Sequence, residues 1–492
     1  MTSAPPSPTP LPRCSPEAQG VSSAALLDFL AAAERQDLGL HGLMVLRHGH
    51  VIAEGWWSPY EAARSHMLFS LSKSFAATAA GLAAAEGLLS LDDAVLSFFA
   101  EERPTPPDPN LCAMRVRHLL SMSTGHDQDT TGRLRGGGGD WVRTFLALPV
   151  EHAPGTHFVY NSGATYMVSA IVQKVTGQTV LDYLRPRLFG PLGIAQPTWE
   201  SSPQGVSVGG WGLSIRTEDI ARFGQLYLQK GVWQGERLLP EDWVAAATSK
   251  QVENGTDPDS DWAQGYGYQF WRCRHGAYRG DGAFGQFCVV LPDQDAVVAI
   301  TAGSRDMGGI LNLLWEHLLP AMGNAPLSGS PEAHGTLGQR LRSLSLPGPA
   351  GAASSPTAAQ VSGKRYVFAP GDHNEPGIEA VAWDFGDNGC VVTIQDGRGE
   401  HRIKAGKEGW QPGTTAFRAQ EAEPVAAWGA WADEATYVLN VCYAETPFIA
   451  TLTGRFSEDT VELSLRQNVS FGPAERPPLM GRIAPQPPNL GE

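Results

Sequence analysis

The stretch LFSLSKSFAATAAGLAAAEGLLSLDD, residues 68–93, decides how the chain is read. From Ser70 to Glu86 it is rich in alanine, the best helix former, and it meets Gly87 where a helix readily stops. A helix with so few polar residues is a buried one. Ser70 stands three residues before Lys73, and positions i and i+3 share a helix face one turn apart, so hydroxyl and ammonium can meet. Ser70 at the helix start also has free backbone N–H groups and the positive dipole end beside it, useful where an oxyanion develops. A serine hydroxyl is a weak nucleophile until a base removes its proton. A lysine can be that base only where burial lowers its pKa. Taken alone, S-x-x-K is equally compatible with a capping serine and coincidence.

Two later segments bear on that choice. HFVYNSGATY, residues 157–166, places Tyr160 and Ser162 in a Y-x-S triplet at the start of an apolar helix. A tyrosine there can relay protons between nucleophile and leaving group, and Ser162 can hydrogen-bond the lysine. GDGAFGQFCVVLP, residues 280–292, puts Gly285 at the head of a strand, where a substrate backbone can approach closely. The N–H of Gln286 would then point into a cleft. Each segment by itself also fits ordinary packing: a core tyrosine with a capping serine, and a glycine in a hairpin.

In this order, the three segments resemble the β-lactamase-like serine hydrolases and penicillin-binding proteins. Within that group the pattern is similar to class C β-lactamases, D-aminopeptidases, DD-peptidases, family VIII esterases and nylon-oligomer hydrolases. The resemblance runs from about Ser15 to Met322 and includes VLRHGHVIAEGWWSPY, VRHLLSMSTGHD, PLGI and GGWGLSIRTEDIARFGQLYLQKG. It implies Ser70 as the acyl-accepting nucleophile, Lys73 as its base and Tyr160 as general acid/base. Lys73 and Tyr160 would each lower the other's proton affinity. The oxyanion hole would be the backbone N–H groups of Ser70 and Gln286.

The chain departs from the family pattern twice. Its second motif ends in Ser162 where β-lactamases carry asparagine. Its third, Ala283-Phe284-Gly285, lacks the basic or histidine residue that helps hold a β-lactam carboxylate. Both departures weaken penicillin recognition and leave acyl transfer intact, so the expectation is a hydrolase of small esters, amides or D-amino-acid peptides. The alternatives are a penicillin-binding sensor that acylates with little turnover, or a weak β-lactamase. Substrate-binding candidates are Ser162, Gly285, Phe284, His126, Trp211 and Tyr266, with Trp271 in the same Gly-rich surroundings. Arg279 or Arg274 is a candidate for the missing cation.

Outside these motifs, a helical pattern spans Pro16 to about Arg35, followed by strand-like runs Gly42–Arg47 and Val51–Trp57 around a His48-Gly49-His50 hairpin signal. Further helices are expected at Val116–Met122, Ser162–Val175, Thr217–Gln229 and Gly309–Met322, with a sheet between Tyr266 and Thr301. The fold expected is α+β: an antiparallel sheet flanked by helices, with a mostly helical inserted lobe. Residues 1–14 are expected to be flexible, 15–322 to form the hydrolase domain, and 323–362, rich in Pro, Gly, Ser and Ala, to be a linker. Residues 363–486 carry strand-length runs separated by Asp, Gly and Asn, and are expected to form an all-β, lipocalin-like barrel.

A net charge of −15 repels phosphate backbones and anionic lipid, so neither nucleic acid nor membrane is an expected partner. The partner expected is a small-molecule ester, amide or peptide. MTSAPPSPTPLPR has no apolar core for a secretory signal, and the six scattered cysteines contain no C-x-x-C pair. Both features suit a cytoplasmic protein. His48, His50, His118, His126, His152 and His157 never fall at H-E-x-x-H spacing, and GGGGD at residues 136–140 lacks the lysine of a phosphate loop. No metal or other cofactor is expected.

Overall fold

The computed structural model describes residues 10–371, 374 and 377–484. Most of the 1–14 segment therefore lies outside the described residues, as do positions 485 and 486. Arg13 and Cys14, at its end, are pinned: Arg13 bonds Glu54 at 2.7 and 2.9 Å, and the Cys14 N–H donates to the Val51 carbonyl. The described chain divides into two compact units. One runs to Gly55 and takes in Ala62–Ala302 and Asp306–Ser343, while the other comprises Trp56–Glu61, Gly303–Arg305 and the chain from Leu344.

The first unit is built on a six-stranded sheet: β1 (Leu40–Arg47), β2 (His50–Trp56), β3 (Trp271–Arg272), β4 (Tyr278–Gly282), β5 (Gln286–Leu291) and β6 (Ala296–Ala302). Their order is β2-β1-β6-β5-β4-β3. The β1–β2 loop is the two-residue turn His48-Gly49, both at positive φ (47° and 73°), which matches the twist of a tight hairpin. Every residue of β1, β5 and β6 is buried, so apolar burial at roughly 1.5–3 kcal/mol per large side chain anchors the sheet.

Five helices frame the sheet and the site. α1 (Ser23–Arg35) is capped by the Ser22 hydroxyl and buries Leu26, Phe29, Leu30 and Ala33, the 3.6-residue repeat of a core-facing helix. The expected start at Pro16 is instead a separate 3-10 turn, ended at Gly20 in the left-handed region. α2 (Ser72–Ala85) buries twelve of its fourteen residues. Its alanines let neighbours approach closely, and Phe75 stacks on Phe223 of α4 (Thr217–Leu228) at 3.9 Å. α3 (Ser162–Thr176) is capped by Asn161 and stopped by Gly177. α5 (Met307–Leu313) continues through a π turn and a 3-10 turn to Ala321. Short helices between β2 and β3 supply the helical lobe. No described helix is long and apolar enough to cross a membrane.

The second unit is a ten-stranded antiparallel ladder: β7 (Arg365–Phe368), β8 (Ala380–Gly386), β9 (Gly389–Asp396), β10 (Gly399–Gly406), β11 (Gln411–Thr415), β12 (Glu423–Trp431), β13 (Thr436–Tyr443), β14 (Ile449–Ser457), β15 (Thr460–Gln467) and β16 (Leu479–Ile483). A parallel pairing of Ala405 with Ala427 and Gly406 with Trp428 joins β10 to β12 and closes a nine-strand barrel. Alternate residues point inward, and Trp383, Phe456 and Tyr366 meet inside with ring centroids 5.0–5.8 Å apart, so side chains fill the interior. The stretch expected to be a linker carries helices at Pro331–Arg342 and Pro356–Val361, each with proline in its first turn and a serine cap.

Candidate active site

The nucleophile candidate is set by a strained turn. Phe69 holds φ +47°, costly for a residue with a Cβ, and Phe69–Leu71 forms a 3-10 turn that feeds α2. The Ser72 hydroxyl donates to the Phe69 carbonyl (2.6 Å) and accepts from the Leu213 N–H (3.1 Å), while the Leu68 N–H donates to the Leu213 carbonyl. Ser70 is left half-exposed at the foot of the helix.

Lys73 lies one helical turn on and is buried. Its Nζ is 2.9 Å from Ser70 Oγ, 2.9 Å from Ser162 Oγ and 2.7 Å from the Gly210 carbonyl. Burial pushes its pKa down to about 7, with the Asp129 and Asp281 carboxylates pulling in the other direction. At neutral pH a large share of Lys73 is therefore the free amine.

Tyr160 is half-buried, stacked on Trp271 (centroids 5.2 Å, planes 25° apart), with Lys73 Nζ 4.7 Å from its ring centroid. Burial pushes its phenol up and Asp281 adds to this, while a hydrogen bond with Ser70 draws it back. The expectation that Tyr160 and Lys73 lower each other's proton affinity is thus corrected. Burial dominates both groups, and it favours the neutral form of each: the amine loses its proton and the phenol keeps it. Tyr160 is positioned by the loop before α3. The Val159 N–H donates to the Met122 carbonyl, Asn161 Oδ1 accepts from the N–H and hydroxyl of Thr130, and the Ser162 N–H donates to Asp129 Oδ1 at 3.0 Å.

The third segment approaches through Gly280 and Gly282, whereas Gly285 was the glycine expected. A Cβ on Gly282 would lie 1.9 Å from the Leu68 carbonyl, and one on Gly280 would lie 2.5 Å from Leu71 and 2.6 Å from the Ser74 hydroxyl. Bare backbone at Gly280 and Gly282 is what lets β4 lie against the Ser70 turn. Gly285 turns the other way, toward Ala302 and Ile310, and Gln286 is fully buried opposite Gly282, its side-chain amide donating to the Ala283 and Ala302 carbonyls. Phe284 does come to the site, its ring edge-on to Phe69 at 5.5 Å.

Of the other expected residues, Ser162 is placed on Lys73. Trp211 is half-exposed and follows the Gly210 carbonyl that Lys73 uses; its indole N–H donates to Glu200. Tyr266 is buried behind Tyr160, edge-on at 6.2 Å, and supports it without reaching the surface. His126 is fully buried against Phe145, with Nδ1 2.9 Å from the Thr124 hydroxyl, so it offers no surface to a substrate. Burial pushes its pKa down to about 4. Neither arginine supplies a free cation. Arg279 is buried on Asp281 and Arg274 is bonded to Asp261 and Asn312. Sequence reading missed Asp129 and the Gly210 carbonyl; a loop acid and a main-chain oxygen carry no spacing signal.

Three comparisons bear on this geometry. The profile of the Beta-lactamase family matches residues 30–311. A 6-aminohexanoate-dimer hydrolase of Paenarthrobacter ureafaciens is 25% identical over 276 residues, covering 52% of this chain and 70% of that protein. Penicillin-binding protein 4 of Amycolatopsis lactamdurans is 28% identical over 246 residues, covering 42% and 63%. Among solved structures, a Bacillus anthracis protein provisionally assigned as a 6-aminohexanoate-dimer hydrolase aligns with TM-score 0.54 and 18% identity, over 64% of this chain and 88% of its own. The family match takes in Ser70, Lys73, Tyr160 and the sheet that carries Gly282, and on it the chain belongs to the beta-lactamase family of hydrolytic enzymes.

Proposed function

We propose that this protein is a serine hydrolase that works through an acyl-enzyme on Ser70 and acts on small esters, amides or D-amino-acid peptides. The observation that carries the reading is Lys73, whose amine touches both Ser70 and Ser162 while burial holds its pKa near neutrality. The free amine takes the Ser70 proton as Oγ attacks the substrate carbonyl. Tyr160, kept protonated by burial, gives its proton to the leaving oxygen or nitrogen and recovers one from the water that cleaves the acyl-enzyme, while Lys73 returns its proton to Ser70 Oγ as the acyl bond breaks. The Ser70 N–H is one donor to the developing oxyanion. For the second, the packing of Gly282 against the turn favours half-exposed Ala283 over the buried Gln286.

The charge around the nucleophile bears on substrate. Asp129 and Asp281 both act on Lys73, and both candidate arginines, Arg274 and Arg279, are bound to carboxylates. Such surroundings disfavour a substrate carboxylate like that of a penicillin and suit neutral esters and amides. The chemistry is assigned to the 15–322 span, and the barrel, with its filled interior, is assigned a structural role.

Intact-protein mass spectrometry with p-nitrophenyl acetate and with benzylpenicillin, alongside turnover, tests the reading. Wild type is expected to turn over the ester, and Ser70→Ala to lose both adduct and activity. A lasting penicillin adduct without turnover would replace the hydrolase by a penicillin sensor. Ester turnover that survives Ser70→Ala would remove the nucleophile assignment.

A further inference from the structure

We propose that Asp127, His152 and His157 form a binding site for a divalent transition-metal ion of the Zn²⁺, Ni²⁺ or Cu²⁺ type. One ligand atom from each lies within 4.8 Å of the other two. His152 Nε2 and Asp127 Oδ1 are 2.5 Å apart, and the His152 and His157 rings lie 4.3 Å apart at 36°. Two imidazoles and one carboxylate are a donor set that borderline metals favour, with positions left open for water. Tetrahedral zinc with bonds of about 2.0–2.2 Å spaces its ligands at roughly 3.3 Å, so side-chain rotation is enough to close the set.

The two segments that bring these residues together are stitched by their own backbones. The His152 N–H donates to the Gly125 carbonyl (2.8 Å), the Gly155 N–H to the Ser123 carbonyl (2.7 Å), and the Asp127 N–H to the Glu151 carboxylate (3.1 Å). Gly125 holds φ +94°, and a Cβ there would sit 2.2 Å from the His152 carbonyl, so the close approach requires glycine at that point. The His152 and Asp127 side chains are 42% and 54% exposed, which gives an ion a way in. The site departs from the sequence reading because its three residues lie on loops, outside any helix-based ligand spacing. A bound ion would cross-brace the segment holding Asp129 to the one holding Tyr160.

Isothermal titration of the full chain with ZnCl₂ tests the site, with thermal melts in metal-free buffer as the check on folding. Wild type is expected to bind one Zn²⁺ per chain, and His157→Ala to weaken binding about 100-fold while melting where wild type melts. His152→Gln and Asp127→Asn are expected to weaken it as well. Hydrogen exchange within residues 122–131 and 150–157 should slow on zinc addition in wild type and not in His157→Ala. The proposal fails if wild type does not bind zinc at millimolar concentration, or if zinc affinity is the same in His157→Ala.

Discussion

Lys73 in the hydrolase unit and Asp396 in the barrel are both buried charges, and the molecule treats them in opposite ways. Burial pushes the Asp396 carboxyl up, but bonds from Arg398 (2.6 and 3.1 Å) and His401 (2.9 Å) more than offset it and hold the group well below the usual carboxylate range. The partners of Lys73 are two hydroxyls and a carbonyl, none of them charged, and its pKa falls to about 7. Burial with a counter-charge in hydrogen-bond contact pins one protonation state; burial with the carboxylates only at a distance, as Asp129 and Asp281 are from Lys73, leaves the group able to exchange a proton at working pH. The linkage signs are opposite too. Asp396 contributes stability that is present above its unfolded pKa and lost as pH falls through its folded one. Lys73 costs stability below its unfolded pKa of about 10.4, because the unfolded chain binds the proton that the fold rejects.

The contrast can be broken in several places. Ser70→Ala and Lys73→Ala should each lower ester turnover by about 10⁴-fold or more, measured with p-nitrophenyl acetate. Lys73→Arg should fail nearly as badly, since arginine stays charged; substantial activity in that variant would show that a neutral amine is not needed. Tyr160→Phe is expected to cost about 10²–10³-fold in turnover with the acyl adduct on Ser70 still seen by mass spectrometry. Asp396→Ala should cost about 2–3 kcal/mol of stability at neutral pH, read by denaturant melts, with the loss fading in acid as the native carboxylate protonates. The rate constant kcat/KM should rise tenfold per pH unit up to about pH 7 and then level off as Lys73 becomes neutral. Asp129→Asn, which removes one of the charges holding the lysine pKa up, should move that limb a few tenths of a pH unit toward acid.

The parts of the site readable in advance were those with a helical spacing behind them. Ser70 and Lys73 share a face by rule, and Tyr160 and Ser162 stand where a capped helix begins. In the third segment the close approach falls at Gly280 and Gly282 and not at Gly285, because YRGDGAFGQF offers three glycines and only packing chooses between them. His126 was placed in the cleft on the strength of its loop, whereas its neighbours carry it inside. In the barrel, seven of the ten strands fall on the strand-length apolar runs that Asp, Gly and Asn turns separate. Three strands carry no such run: Gly399–Gly406, where only His401, Ile403 and Ala405 turn inward between charged residues, Gln411–Thr415, which is mostly exposed and polar, and Leu479–Ile483, which buries only Leu479 and Gly481. The helix at Pro331–Arg342 buries only Leu337, too little to stand out from Gly/Pro/Ser-rich surroundings.

The closure of the barrel has a consequence for self-association. An open ten-stranded ladder would present two rows of unpaired main-chain groups, each a template on which another copy could add a strand. Here one end is joined to the ring through Ala405 and Ala427. The other end is Gln411–Thr415, five residues whose exposed middle holds Pro412, which has no N–H to offer, and Gly413, which has no side chain to pack. An intruding strand finds a short, interrupted edge there.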